Sequence, residues 1–225
     1  MPTFRDINTQ INSLIKDLIE LGLSDDQNSP FEKSCGDGLV EITFPGAQHT
    51  SIAMKDTSYV KIYDRLKEER AYIAIMADGS MIQMMYAFRN GELERHRLAF
   101  FPSPHLEEFQ NAPEIYLEDE IYADIVAKNI VPFPIRFDFD AREGVYEEVV
   151  HPKSHLTLGQ YRNCRIPVSS PLMPFHFIEF ILRNFYHTVH NKFSHRLRRM
   201  HTNVFDPSIL QAEENIIHVQ IPPSI

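Results

Sequence analysis

Residues 71–101 read AYIAIMADGSMIQMMYAFRNGELERHRLAFF. Three runs rich in apolar and β-forming residues follow one another here, separated by Asp78-Gly79 and Asn90-Gly91. Asn-Gly between two such runs is a strong hairpin signal, because both residues readily adopt the positive φ angles of a tight turn. The stretch therefore predicts a meander of three antiparallel strands, at residues 71–76, 81–89 and 93–101.

Further strands are predicted on both sides of the meander. In FPIRFDFD, residues 133–140, the side chains alternate, with Arg136, Asp138 and Asp140 on one face and apolar residues on the other. The other predicted strands are residues 39–44, 145–150, 155–158, 165–168 and 216–221.

Apolar spacing predicts helices at residues 3–23, 56–70 and 174–199, and the acidic residues 105–130 are also predicted to be helical, whereas 25–38 reads as a polar loop. Because hairpins outnumber crossovers, we expect a single α+β domain over residues 1–225. Its mostly antiparallel sheet would pack against an N-terminal helix and a long C-terminal helix.

The composition is that of an ordinary globular protein, with 43% hydrophobic and 24% charged residues in a chain of 225. No apolar run approaches the roughly 20 residues that span a bilayer, and the N-terminus lacks a signal-peptide pattern. Cys35 and Cys164 are far apart and in no metal-ligand spacing. These features predict a cytoplasmic protein with reduced thiols and no membrane partner.

Positive charge is concentrated near the C-terminus of a chain whose net charge is −9. Residues 183–201 contain five arginines and lysines and no acidic residue. This basic helix end could attract RNA or an acidic protein partner. The alternative is a solvated helix end whose cations complement the helix dipole.

The predicted C-terminal helix places a mixed polar stripe on one side: His176, Glu179, Arg183, His187 and His190. An arginine that binds phosphate and histidines that titrate near neutrality could together cleave RNA by general acid–base catalysis. Arg183 and Asn184 followed by His190 resemble the motif of HEPN ribonucleases. In that motif the arginine holds the scissile phosphate and the histidine assists proton transfer. A solvated polar helix face is the structural alternative.

A second group comprises Asp138, Asp140, His151 and His155. If the strands that contain Asp138 and His155 pair, the imidazole lies beside the two carboxylates. Such a set could hold Mg²⁺, Mn²⁺ or Zn²⁺, with Asp138 and Asp140 as ligands. Alternatively, Arg136 neutralises one aspartate, and His151 belongs to a turn.

Arg165 follows the Gly159 turn and is a further candidate for the site. The alternative is that it makes a structural salt bridge. Arg95 and Arg97 share a strand face and could extend a phosphate-binding surface, whereas Cys164 is expected to be a buried thiol. The chain has no Gly-rich phosphate loop, no GxSxG elbow, no HExxH and no CxxC pair. The acid and lysine spacing of PD-(D/E)xK nucleases is also missing.

The segments HPKSHLTLG (151–159), CRIPV (164–168) and FIEFILRNFY (177–186) resemble an uncharacterised bacterial family, the domain of unknown function 2290. The resemblance covers nearly the whole chain and implies no activity. More loosely, the layout is similar to that of small toxins of toxin–antitoxin pairs, through Asp78-Gly79, the Arg136–Asp138 strand and His155. That similarity implies an effector from a defence or toxin–antitoxin system.

Two classes of function follow from these patterns. The first is an enzyme, a ribonuclease or related phosphodiesterase, with His155, Arg165, Arg183 and His190 as catalytic residues and an optional divalent metal on the aspartates. The second is a non-catalytic subunit or regulator that docks to a partner protein through the acidic body and the basic helix end.

Overall fold

The sheet forms the centre of the fold and is antiparallel throughout. The computed structural model describes residues 1–48, 57–105, 133–161, 163–197 and 203–223. Nine strands in these ranges form one sheet. They are β1 (Ser24–Gln27), β2 (Phe31–Ser34), β3 (Leu39–Thr43), β4 (Ala74–Met76), β5 (Met81–Arg89), β6 (Glu92–Phe101), β7 (Ile135–Asp140), β8 (Ser154–Leu158) and β9 (Ile166–Pro167).

Strands β1, β4, β5, β6, β7, β8 and β9 lie side by side in that order. On one side of β5, strand β4 pairs with its first residues and β3 with its last, and β2 extends the sheet beyond β3. The β5–β6 turn has positive φ angles at Asn90 and Gly91, as the Asn-Gly signal predicts. The predicted meander is confirmed.

Helices cover one face of the sheet. Helix α1 (Phe4–Glu20) begins with a capping box between Thr3 and Asp6, and α3 (Pro174–Phe185) begins with a proline. The backbone N–H of Phe175 donates to the buried Gln10 side chain (3.0 Å), which joins the two helices. Their apolar sides pack on the sheet to form the main core, in which Phe177 of α3 meets Phe137 of β7 edge-on. These features confirm the α+β class and the N-terminal helix.

On the opposite face, the described residues place a helix at one end. There α2 (Tyr59–Glu68) buries Ile62, Tyr63 and Leu66 against Met81 and Phe101, which forms a second, smaller core. Within the described ranges, no helix has the length and apolar character needed to cross a membrane.

The predicted helix at 174–199 is divided at Tyr186 into α3 and α4 (His187–Phe193). Tyr186 has φ −132° and ψ 56°, which are not helical angles, and it is 3% exposed. Its hydroxyl donates to the Asp78 carboxylate in the β4–β5 turn (2.9 Å). The helix therefore ends where the tyrosine is fixed to a distant turn.

Other predictions were wrong locally. Residues 145–150 form turns rather than a strand, because Gly144 and Val149 have positive φ angles. Residues 216–221 contribute only one bridge, Val219 to Val168, beside the short helix α5 (Gln211–Glu214). The loop predicted at 25–38 contains most of β1 and all of β2. Residues 106–130 of the predicted acidic helix lie outside the described residues.

Candidate functional site

Polar side chains of β7 lie on the face of the sheet opposite α1 and α3. The alternation along this strand buries Ile135, Phe137 and Phe139 and leaves Arg136, Asp138 and Asp140 on the opposite face. In the pairing register, Asp138 lies between Arg97 of β6 and His155 of β8. Residues directly opposite each other have their side chains close together on one face. The three side chains therefore form a row across the sheet.

A cavity of about 630 Å³ lies above this row. It is on the face opposite α1 and α3, next to the part that α2 covers. Among the described residues, its charged lining consists of Lys33, Glu41, Arg95, Arg97, Arg136, Asp138, Asp140, Arg142 and Arg165, and three histidines, His96, His151 and His155, also line it.

The cavity has an excess of positive charge although the chain as a whole is acidic. In the part of the lining that the structure describes, six lysines and arginines face three carboxylates. Each carboxylate is paired with a different arginine: Arg97 with Asp138 (3.0 Å), Arg95 with Glu41 (2.6 Å) and Arg142 with Asp140 (2.6 Å). Such a lining attracts an anion.

Arg136 shows the excess of positive charge in the cavity most directly. Its Nε atom is 3.8 Å from Asp138 Oδ2, and its Nη1 atom is buried without a hydrogen-bond partner. Burial lowers the pKa of Arg136, and the neighbouring cations Arg97 and Arg165 lower it further, against the effect of Asp138. A buried guanidinium donor without an acceptor is unfavourable unless a ligand supplies one.

Asp138 is held as a carboxylate. Burial alone would raise the pKa of this group, but Arg97 and Arg136 more than offset that effect, and the pKa is lowered. Its Oδ2 atom lies 4.0 Å from His155 Nε2, beyond hydrogen-bond distance.

His155 is oriented by the backbone. Its Nδ1 atom is 2.9 Å from the carbonyl oxygen of Pro152, which can only accept a hydrogen bond, so Nδ1 has the proton. Burial lowers the pKa of His155, although Asp138 opposes this. In the neutral ring Nε2 then has the lone pair, as a general base requires. The His151 ring is adjacent, with 5.0 Å between the ring centroids.

The predicted metal site at Asp138 and Asp140 does not fit the donor set. Each carboxylate is paired with an arginine, which competes with a cation for the same oxygens. In the described ranges no three His, Cys, Asp or Glu side chains are grouped so that they could hold a metal ion.

The structure brings some predicted residues together and separates others. His155, Asp138, Asp140 and Arg165 line one cavity. Arg183 and His190 do not, because α3 and α4 pack into the main core on the other face of the sheet, through Phe177 and Val189. The break at Tyr186 also divides the stripe of residues 176–190 between two helices.

The basic segment 183–201 is described up to residue 197, and Arg183 and Arg196 are exposed there.

Cys164 lines the cavity, and its sulfur accepts a hydrogen bond from the Leu158 backbone (3.5 Å). Sequence reasoning assigned Arg136 only to neutralising an aspartate and did not select Tyr161, which lines the cavity and is 77% exposed. An aromatic residue next to the Gly159 turn was the available signal.

Comparison with known proteins gives one positive result. Neither a curated protein nor a solved structure matches the chain. The model of one family, described as an uncharacterized conserved protein (DUF2290), matches residues 23–221, which include the whole sheet from β1 to β9 and every residue that lines the cavity. The chain therefore belongs to the DUF2290 family, as the HPKSHLTLG, CRIPV and FIEFILRNFY segments predict.

Proposed function

We propose that the chain is an effector that binds RNA in the cavity and cleaves its phosphodiester bonds without a metal ion. The observation that carries the proposal is the excess of cavity cations next to a buried, neutral histidine. A phosphodiester supplies acceptor oxygens for the buried Nη1 of Arg136. The layout similarity to small toxins favours a toxin-like or phage-defence role for this activity.

In the proposed reaction, His155 Nε2 takes the proton from a ribose 2′-hydroxyl. The O2′ atom then attacks the adjacent phosphorus, and the bond from phosphorus to the 5′-oxygen breaks. His151 donates a proton to the leaving 5′-oxygen, and the products are a 2′,3′-cyclic phosphate and a free 5′-hydroxyl. Such proton transfers each accelerate a reaction by about 10²- to 10⁴-fold.

Arg136, Arg97 and Arg165 would stabilise the negative charge that develops on the phosphoryl oxygens. Fixed cations in a partly buried site are effective at this, because little reorganisation is needed during the reaction. The Arg97–Asp138 pair (3.0 Å) would keep the Arg97 guanidinium oriented at the cavity.

The test is RNA cleavage in the presence of a chelator. We expect His155→Gln to lower the cleavage rate by at least about 100-fold, and His190→Gln, on the other face, to leave it within about threefold. Arg136→Met and Arg183→Met form a second matched pair, in which only the first should weaken RNA binding. A normal rate for His155→Gln, or a rate abolished by the chelator, would refute the proposal.

The second candidate is the non-catalytic docking protein, and exposed apolar residues support it. Val150 is 62% exposed and Ile217 is 92% exposed. The backbone N–H of Val149 donates to the Glu213 side chain (3.2 Å). This hydrogen bond joins the turn that contains Val150 to α5, which ends two residues before Ile216. If expression of His155→Gln is as toxic or protective in cells as that of the wild type, this candidate replaces the enzyme.

A further inference from the structure

We infer that the substrate is single-stranded and that Tyr161 stacks on an unpaired base next to the bound phosphate. This inference rests on the proposed function and names its substrate class. Three observations carry it: the exposure of Tyr161, its position in an anchored turn, and the charges of the cavity that it lines.

Tyr161 is 77% exposed, and its side chain lines the cavity at the turn that follows β8. A large aromatic side chain this exposed contributes little to the folding core. Aromatic rings in such positions serve as stacking platforms for nucleobases, because every base has a π face.

The turn that contains Tyr161 is anchored to a distant part of the chain. Gly159 has φ +65°, and a Cβ atom added there would lie 3.5 Å from Tyr161 Cδ2 and 3.7 Å from Phe133 Cβ. One edge of the Tyr161 ring therefore lies next to Gly159. The neighbouring Gln160 side chain donates to the Thr57 carbonyl (2.9 Å), which anchors the turn.

The same cavity offers the contacts that the rest of a nucleotide needs. Arg165, four residues after Tyr161, and Arg136 line it and can contact the phosphate. Phe31 of β2, which is 44% exposed, also lines the cavity and could meet a second base.

A duplex would not present its bases in this way. Paired bases are stacked on each other inside the helix, and only unpaired bases are free to stack on a protein side chain. A Tyr161 platform therefore selects single-stranded RNA over duplex RNA and over phosphodiesters that lack a base.

The test compares two oligomers of equal length and charge: a single-stranded oligoribonucleotide that contains 2-aminopurine, and the same backbone with every base removed. Binding is measured with the full chain, made non-cleaving by His155→Gln. We expect Tyr161→Ala to weaken binding of the oligoribonucleotide about tenfold and to abolish quenching of 2-aminopurine. Binding of the abasic oligomer should be unchanged. Tyr161→Phe should bind like the parent, and so should Tyr146→Ala, a tyrosine that does not line the cavity.

The outcomes separate the two proposals. If Tyr161→Ala binds both oligomers like the parent, stacking is wrong, while the phosphate site stands provided that Arg136→Met weakens binding of both. If the parent binds duplex RNA as tightly as the single strand, the substrate class is wrong. If the parent binds neither oligomer, the proposed function and this inference both fail.

Discussion

Replacing His96 should make the stability of the protein less dependent on pH. His96 is 4% exposed, between the rings of Tyr86 and Phe139, and its Nε2 atom accepts a hydrogen bond from the Leu172 backbone (3.1 Å). Its Nδ1 atom is buried without a partner. Burial lowers the pKa of His96 from its ordinary 6.5 to about 4, although Asp138 acts in the opposite direction.

The sign of the effect follows from this lowered pKa. Between pH 6.5 and about 4, the unfolded chain binds a proton at His96 that the folded chain does not bind. Stability contributed by the neutral ring is therefore complete above pH 6.5 and is lost as the pH falls towards 4. One pKa unit corresponds to about 1.4 kcal/mol, so the loss between pH 7 and pH 4 is about 3 kcal/mol.

The assay is urea unfolding of the wild type and His96→Gln at several pH values from 7 to 4. Glutamine does not titrate, and its carbonyl oxygen can accept the Leu172 hydrogen bond. The difference in unfolding free energy between the two proteins should change by about 3 kcal/mol over this range. Using the difference removes the contributions of other groups, such as His155, whose pKa is also lowered, and Asp78, whose pKa is raised by burial. His195→Gln, an exposed position, is the control. A constant difference from pH 7 to 4 would refute the reasoning.

Two further predictions concern stability. Tyr186→Phe should lower the free energy of unfolding by about 1–3 kcal/mol, because it removes a hydrogen-bond donor from the partly buried Asp78 carboxylate. Tyr161→Phe, at an exposed position, should change it by less than about 0.5 kcal/mol. Equal effects in urea unfolding would contradict this. Val149→Gly should raise the unfolding free energy by about 1 kcal/mol, because the β-branched residue has φ 65°. Val150→Gly should not raise the unfolding free energy. A lower thermal midpoint for both glycine variants would count against backbone strain at Val149.

Much of the sheet was predictable from local patterns. The run at residues 81–89 coincides with β5, and the alternation of FPIRFDFD gives the two faces of β7 as observed. The strand that contains His155 also alternates, and it pairs with β7. The same alternation therefore predicts that His155 lies beside Asp138.

What the sequence could not reveal depends on distant contacts. The helix break at Tyr186 reflects a hydrogen bond to Asp78, 108 residues earlier, and no local signal of residues 174–199 records it. Strand β1 has the polar sequence SDDQ and forms because β4 offers it a partner. Arg183 and His190 were grouped with His155 by their chemistry alone, whereas the helix that contains Arg183 lies on the other side of the sheet.

The alternation of β7 also limits how the length of this chain can change. One residue inserted or deleted within β7 would exchange its two faces, so that Arg136 and Asp138 entered the core and Phe137 entered the cavity. Such a change would damage folding and ligand binding together. The turn at residues 141–150, by contrast, is exposed and makes few pairings with the sheet, so it can vary in length at little cost. Homologues of this chain should therefore keep the spacing within β7 and differ in length at the turn that follows it.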